Sequence, residues 1–415
     1  MEKQLTPVTS RERIEYMDLL RGIAIFGILV ANARWFSLYT PGVHGLFVFP
    51  QIDKSVHFFQ HVFIESKFYS IFSILFGWGI AIQIKRSKKA DASTAGFMRR
   101  RLAFMLLLGG IHLFFIWEGD IVFLYGLVGF ILVALRNYSN RTLFISGILI
   151  LLSPILLYYL KMKWSWLNFP SEYLYDLGEK MYRLNGWVDQ DTSRTKVLSE
   201  SKNILTSIRV TLADAPYRFA YLFAVSRIPK VLGAMLIGFV IGRTDLYSKM
   251  MNHKQAVLKA TITGLIVFLP LNYVLEGFLK NDQAYSNFQI EGLYYTIAYA
   301  FIVFPTAIIY MMALALLYEK TRMRKILKPV LPVGRTAFTN YVLQSVIGII
   351  VFYGVGFGLA EQFGPLAWTM FAVLVFIFQM IMSNIWLKYF RFGPLEWIWR
   401  SLTYRKIQPL RISKA

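Results

Sequence analysis

Cysteine is absent from the 415 residues, which excludes disulfides, thiolate catalysis and cysteine-built metal sites. Histidine is scarce, at five residues, so imidazole chemistry has few places to sit. Carboxylates are few as well: 23 Asp and Glu stand against 45 Lys and Arg, a net charge of +22. No cleavable leader is legible. Residues 1–18, MEKQLTPVTSRERIEYMD, are polar and lack a short apolar run ending at a small-residue cleavage site, so the first span is expected to stay as a signal anchor. Charge of either sign is thin, at 16% of the chain, whereas 56% is hydrophobic and the mean hydropathy is +0.49. That balance belongs to a polytopic membrane protein and not to a soluble domain. The positive excess then reads as the bias of cytoplasmic loops and attraction to anionic lipid, and no nucleic-acid partner is expected.

Ten apolar stretches are present, roughly 19–39, 56–84, 102–118, 120–136, 142–160, 214–242, 256–278, 290–318, 337–360 and 366–389. Each is near the length a bilayer core requires, the third and fourth being short. They predict one all-α domain over 1–415, a polytopic integral membrane helical bundle of about ten transmembrane helices. Lys and Arg concentrate at 85–101, at 319–335 and in the tail 390–415, whereas the short loops of the other side offer only Lys54 and Lys280. By the positive-inside rule the tail 1–18, the tail 390–415 and hence both termini are cytoplasmic, and the aromatic, amphipathic segment 161–213 faces out. The expected location is multi-pass in the cytoplasmic membrane, with the lipid bilayer as the first partner. The oligomeric state is open, a homodimer included.

The second stretch carries the densest polar chemistry. His57, His61 and Glu65 recur every four residues, with Tyr69 next, so a continuous helix would line them on one stripe. Lys67 faces elsewhere. Ionisable groups at this depth are costly and usually face a bundle interior or a wet cavity, the plain alternative being interhelical glue. Arg227 in the sixth stretch is the expected partner of Glu65. His112 lies mid-span in GGIHLFFIWEGD. Eight residues separate it from Asp120, two turns of one helix, so its expected partner is Glu65 on a cavity wall. Asp18 and Arg21 share a face at the start of the first stretch. They read either as an interfacial ion pair or as an arginine that meets a phosphate-bearing group. Asn32 lies near the far end of that span. Asn340 and Gln344 are one turn apart, which reads first as hydrogen-bond glue and second as substrate contact. His57 and His61 resemble half a zinc site, but no HExxH is present and no metal is expected.

The stretches DLLRGIAIFGIL, HVFIESKFYSIFSILFGWG, RRLAFMLLLGGIHLFFIWEGDIVFLYGLVGF, GRTAFTNYVLQS and GPLEWIWRSLTY together resemble the YeiB-like family of bacterial membrane proteins, a domain of unknown function. The first span is also similar to those of the acyltransferase-three and heparan-glucosaminide acetyltransferase groups, membrane enzymes that move acyl groups to sugars. Acyltransferase-three proteins place a catalytic His eleven residues after the Arg of the LRG motif. Counted from Arg21 that position is Asn32, which cannot act as a base. The wider resemblance implies an acyltransferase that takes an acyl group from a cytosolic thioester such as acyl-coenzyme A, with no resident cofactor, to an envelope or glycan acceptor. His112 or His61 is then the base, oriented by Glu65 or Asp120, and Lys67 or Arg227 faces the developing negative charge. The alternatives are a small-solute transporter or channel, whose expected signs are a repeat and interrupted helices, and a structural or regulatory membrane protein.

Overall fold

The computed structural model describes residues 14–40, 42, 45–89, 94–187, 193–278 and 288–412. Lys280 and residues 1–13 lie outside the described residues. Among those described the architecture is helical, as a bilayer demands of a backbone that must satisfy its own hydrogen bonds. All ten apolar stretches become helix. Six are long and apolar enough to cross a membrane: α1 (Glu15–Phe36), α2 with α3 (Pro50–Phe63 and Lys67–Lys89), α6 (Asn140–Lys163), α12 (Lys254–Phe278), α13 (Ile290–Glu319) and α17 (Pro365–Tyr389).

Two further spans are counted only if each bent pair is one crossing. α9 (Ile204–Ala224) meets α10 (Arg227–Thr244) at 65°. The short α14 (Thr321–Leu327) and α15 (Leu331–Arg335) meet α16 (Ala337–Phe352) at 81°. The remaining two stretches form the hairpin α4 (Thr94–Phe115) and α5 (Val122–Ala134). α4 carries Arg99, Arg100 and Arg101 in its first half, and α5 is short, so neither passes as a span alone. Three short helices, α7 (Phe169–Leu184), α8 (Arg194–Glu200) and α11 (Leu246–Met251), and the terminal α18 (Pro394–Tyr404) lie between and after the spans. The segment 161–213 is thus the end of α6, then α7 and α8, with α9 already begun at Ile204.

α1 and α3 run through the centre, and α6 and α12 flank it. The α2–α3 stretch buries 67% of its apolar window and α12 only 17%, which leaves side chains such as Ile266 and Val274 for lipid. α3 crosses α10 at glycine on both sides. A Cβ on Gly77 would strike the carbonyl of Met235, and one on Gly238 would strike that of Ile74. Such backbone approach is how helices pack where lipid removes the hydrophobic drive between them.

Candidate functional site

The stripe expected through His57, His61, Glu65 and Tyr69 is cut. α2 stops at Phe63 and α3 starts at Lys67, with Ser66 between them in the left-handed region at φ 64°. Lys67 explains how the break is tolerated at depth. Its buried ammonium turns back and donates to the carbonyl of His61 at 2.6 Å, satisfying an oxygen that the ended helix leaves without an amide. Glu65, in the break, pairs with His61 of α2 at 3.0 Å, and Glu276 of α12 approaches the same imidazole nitrogen at 3.4 Å. The expected ion pair with Arg227 gives way to this arrangement, since the break turns the Glu65 carboxylate back toward His61. Arg227 lies 4.4 Å above the ring of Tyr69 and donates to the Tyr221 hydroxyl at 3.2 Å. One turn on, Lys230 lies 4.2 Å from the ring of Tyr299.

His112 and Asp120 do touch. The chain reverses at Trp117–Asp120, and the Asp120 carboxylate caps α5, accepting from the Phe123 amide at 2.6 Å through Oδ1. Its other oxygen, Oδ2, lies 2.8 Å from His112 Nδ1, while His112 Nε2 lies 2.9 Å from Ser345 Oγ on α16. A Ser–His–Asp chain therefore spans two elements, and the partner from another span is Ser345, not Glu65. All three residues are about sealed, at 1% exposure each, and none of them lines either cavity described below. A base so enclosed meets no substrate directly. What it does is fix the hairpin tip against α16, where Tyr341 accepts from the Ile121 amide at 3.2 Å and donates to the Gly119 carbonyl at 3.4 Å.

Two cavities lie toward opposite ends of α1. The first, about 240 Å³, holds Asp18, Arg21, Arg101, Arg335, Glu396 and Arg400 over apolar walls that include Ile25, Phe72 and Met105. Arginine exceeds carboxylate in this lining. Arg21 contacts Asp18 at 3.2 Å, and Glu396 accepts from the amides of Phe338 and Thr339 and the Thr339 hydroxyl, capping α16. The Arg101 guanidinium stacks 3.7 Å from the Trp399 ring, whose Nε1 donates back to the Arg101 carbonyl at 2.8 Å. The second cavity, about 670 Å³, is lined by Asn32, Glu65, Tyr69, Arg218, Arg227 and several more tyrosines, with Tyr175, Glu179, Tyr182 and Arg194 coming from α7 and α8. Ile28, Ile121 and Tyr341 belong to both linings and stand between the two cavities.

Arg194 is one of the ties that hold α7 and α8 over the second cavity. Arg194 bridges Glu118 at 2.6 Å and Asp214 at 2.7 Å, and Tyr182 donates to the same Asp214 carboxylate. Burial works against the Arg194 charge, but the carboxylates of Asp214 and Glu118 outweigh it and hold the guanidinium protonated above its ordinary range. Burial, then Asp214, pushes the Tyr182 phenol well up.

Of the residues singled out from sequence, Asp18 and Arg21 line the first cavity, and Asn32, Glu65 and Arg227 the second. Asn340 and Gln344 are buried glue: Asn340 donates to Thr336 and Ser383, and Gln344 to Gln379. Arg101, Arg194 and Tyr341 carry no depth signal that selects them, because each depends on a partner far away in the chain. Among the described residues no group of three or more His, Cys, Asp or Glu could hold a metal ion.

Comparison with known proteins adds the lineage. Residues 241–406 match the family described as "Protein of unknown function (DUF418)". A Bacillus subtilis (strain 168) protein, "Uncharacterized protein YxaH", is 29% identical over 426 residues, 98% of each chain. An Escherichia coli (strain K12) protein, "Uncharacterized protein YeiB", is 28% identical across 96% of this chain and 98% of its own. A Bacillus acidopullulyticus protein, "Uncharacterized 39.9 kDa protein in amylase 3'region", is 24% identical across 99% of both. No solved structure matches the chain.

Proposed function

From a chain that belongs to the DUF418 family and is homologous over its full length to YeiB and YxaH, we propose a membrane-embedded acyltransferase. The observation that carries this reading is the pair of cavities separated only by Ile28, Ile121 and Tyr341, one of them rich in arginine. The arginine excess of the first cavity suits the phosphate end of an anionic acyl thioester of the coenzyme A kind. Its phosphates meet the guanidinium groups of Arg21, Arg335 and Arg400, and its acyl group extends along the apolar walls toward Ile28, Ile121 and Tyr341. The positive-inside reading makes that side cytosolic. The acceptor occupies the second cavity. Its hydroxyl gives a proton to Glu65 as the oxygen attacks the thioester carbonyl. The C–S bond then breaks, the ester forms, and the departing thiolate takes a proton to leave as thiol. His61 shares the proton with Glu65 and is the imidazole that remains once His112 is enclosed. Arg227, in the same lining as Glu65, is assigned the hydrogen bond to the oxyanion.

The test uses purified protein in nanodiscs, acetyl-coenzyme A labelled in its acetyl group, and a bacterial envelope extract as acceptor. Label is expected to enter the extract in wild type and not in Glu65→Gln. Label that stays on the donor in both proteins sinks the reading.

Transport is the second reading, and a specific observation favours it. The interrupted helices absent from the sequence pattern are present at α9–α10 and α15–α16, and discontinuous spans often hold the substrate in transporters. Movement of an unmodified solute into proteoliposomes, with no covalent product, selects this reading over transfer.

A further inference from the structure

We propose that Glu276 of α12 is a positioning residue for the Glu65 base and acts on it through His61. His61 Nδ1 faces two carboxylates, Glu65 Oε2 at 3.0 Å and Glu276 Oε2 at 3.4 Å. An ionised carboxylate only accepts, so Nδ1 is the nitrogen that carries hydrogen, and one hydrogen cannot serve two anions at once. Glu65 lies within ordinary hydrogen-bond range and Glu276 just outside it, which makes Glu276 the second seat of the same N–H. The two carboxylates differ in what else they meet. Glu65 belongs to the tyrosine-lined cavity, with its side chain 52% exposed, whereas Glu276 is 18% exposed and lines neither cavity described above. Glu276 therefore acts on an occupant of that cavity by way of the imidazole.

The place of Glu276 is set by its own helix. One turn before it, Asn272 donates to the Thr306 hydroxyl of α13 at 2.8 Å, and Tyr273 meets the Phe58 ring of α2 edge-on at 5.4 Å between centroids. Leu275 is buried with Ile302 and Val303 of α13. These contacts hold the carboxylate beside α2. There the His57 ring lies 4.4 Å from that of His61, and Lys67 is given to the His61 carbonyl. Arg34 of α1 adds a further positive charge nearby. This role deepens the transfer reading, on which it rests for calling Glu65 the base. When the acceptor hydroxyl gives its proton to Glu65, the carboxylate becomes a neutral carboxyl and a poorer partner for Nδ1–H. The N–H then turns to Glu276, so the ring keeps its tautomer while Glu65 holds the proton. Once that proton has gone on to the departing thiolate, Glu65 is again an anion and recovers the N–H. His61 and Glu276 end the cycle in the protonation states in which they began it.

Nitrogen NMR of the full chain in nanodiscs, isotope-labelled at histidine and held at alkaline pH where imidazole is neutral, tests it with neither donor nor acceptor present. The chain has five histidines, and His61→Gln identifies the signal. Glu65→Gln stands in for the protonated base. In that variant His61 is expected to keep its hydrogen on Nδ1, and adding Glu276→Leu is expected to move it to Nε2. Glu276→Gln keeps the shape without the charge and stands in if Glu276→Leu fails to fold. In the transfer assay Glu276→Leu should lower kcat about tenfold with KM for the donor near wild type, and Glu276→Asp should recover most of the loss. The same tautomer with and without Glu276, or a kcat in Glu276→Leu equal to wild type, overturns the proposal. If no protein transfers label, the transfer reading falls by itself, and the tautomer still decides whether Glu276 holds the imidazole.

Discussion

His112 and Asp120 stand 2.8 Å apart across a reversal of the chain, although eight residues separate them in sequence. The contact closes a buried chain that Ser345 completes. Because all three members are sealed, the first expectation concerns stability. Asp120→Asn loses a charged acceptor and weakens the α5 cap, and should lower stability by about 1–3 kcal/mol. Ser345→Ala removes one neutral partner and should cost about 1 kcal/mol. Thermal unfolding in detergent measures both. Unchanged melting in Asp120→Asn would contradict a structural role for the set.

Lys67 is committed to the His61 carbonyl and is expected to act as a cap and not as a substrate contact. Lys67→Met keeps the apolar stem and deletes the ammonium, leaving a buried carbonyl without a donor. The cost should be about 1–3 kcal/mol. In protein that folds, substrate affinity should stay near wild type. A selective loss of affinity at unchanged melting temperature would assign Lys67 to the ligand instead.

Glu65 is the proposed base, and its removal should strike the rate more than binding. Glu65→Gln is expected to slow transfer by about 100-fold or more while the donor dissociation constant moves little. Single-turnover kinetics with labelled acetyl-coenzyme A separates the two. Equal losses in binding and rate would place Glu65 among donor contacts.

Orientation is testable without clearing a background, since the chain has no cysteine. A cysteine at Asn185, beside the end of α7, should react with an impermeant thiol reagent on intact spheroplasts, and one at Lys406, past α18, should react only after lysis. The reverse pattern would invert the bundle and exchange the two cavities between membrane faces.

Hydropathy made the ten helical stretches legible, because length and apolar composition are local properties. The breaks within them were not. Ser66, Ser226 and Thr336 are ordinary residues in which no turn signature shows, although the first two take a positive φ. The same limit governed the site. Asp18, Arg21, Asn32, Glu65 and Arg227 stand out from sequence because charge or amide at depth is conspicuous. Pairing among them depends on where helices stop, so the Glu65–Arg227 and His112–Glu65 pairs were drawn on helices straighter than those that form. Arg194 lies in a loop-like segment of mixed charge, where its bridge between Glu118 and Asp214 has no linear signature.

The glycine crossing of α3 and α10 acts as a ruler for the tyrosine-lined cavity. Tyr69 begins the α3 wall and Arg227 the α10 wall, and the gap between these two walls is gauged further along at Gly77 and Gly238, where backbone rests on backbone. A side chain can rotate to absorb a change; a carbonyl wedged against a glycine cannot. Adding a single methyl at either glycine therefore forces the helices apart and widens a pocket several turns away, without altering any residue that lines it. Cavity width and cavity chemistry are in this way written in separate parts of the chain, and one can be adjusted while the other is kept.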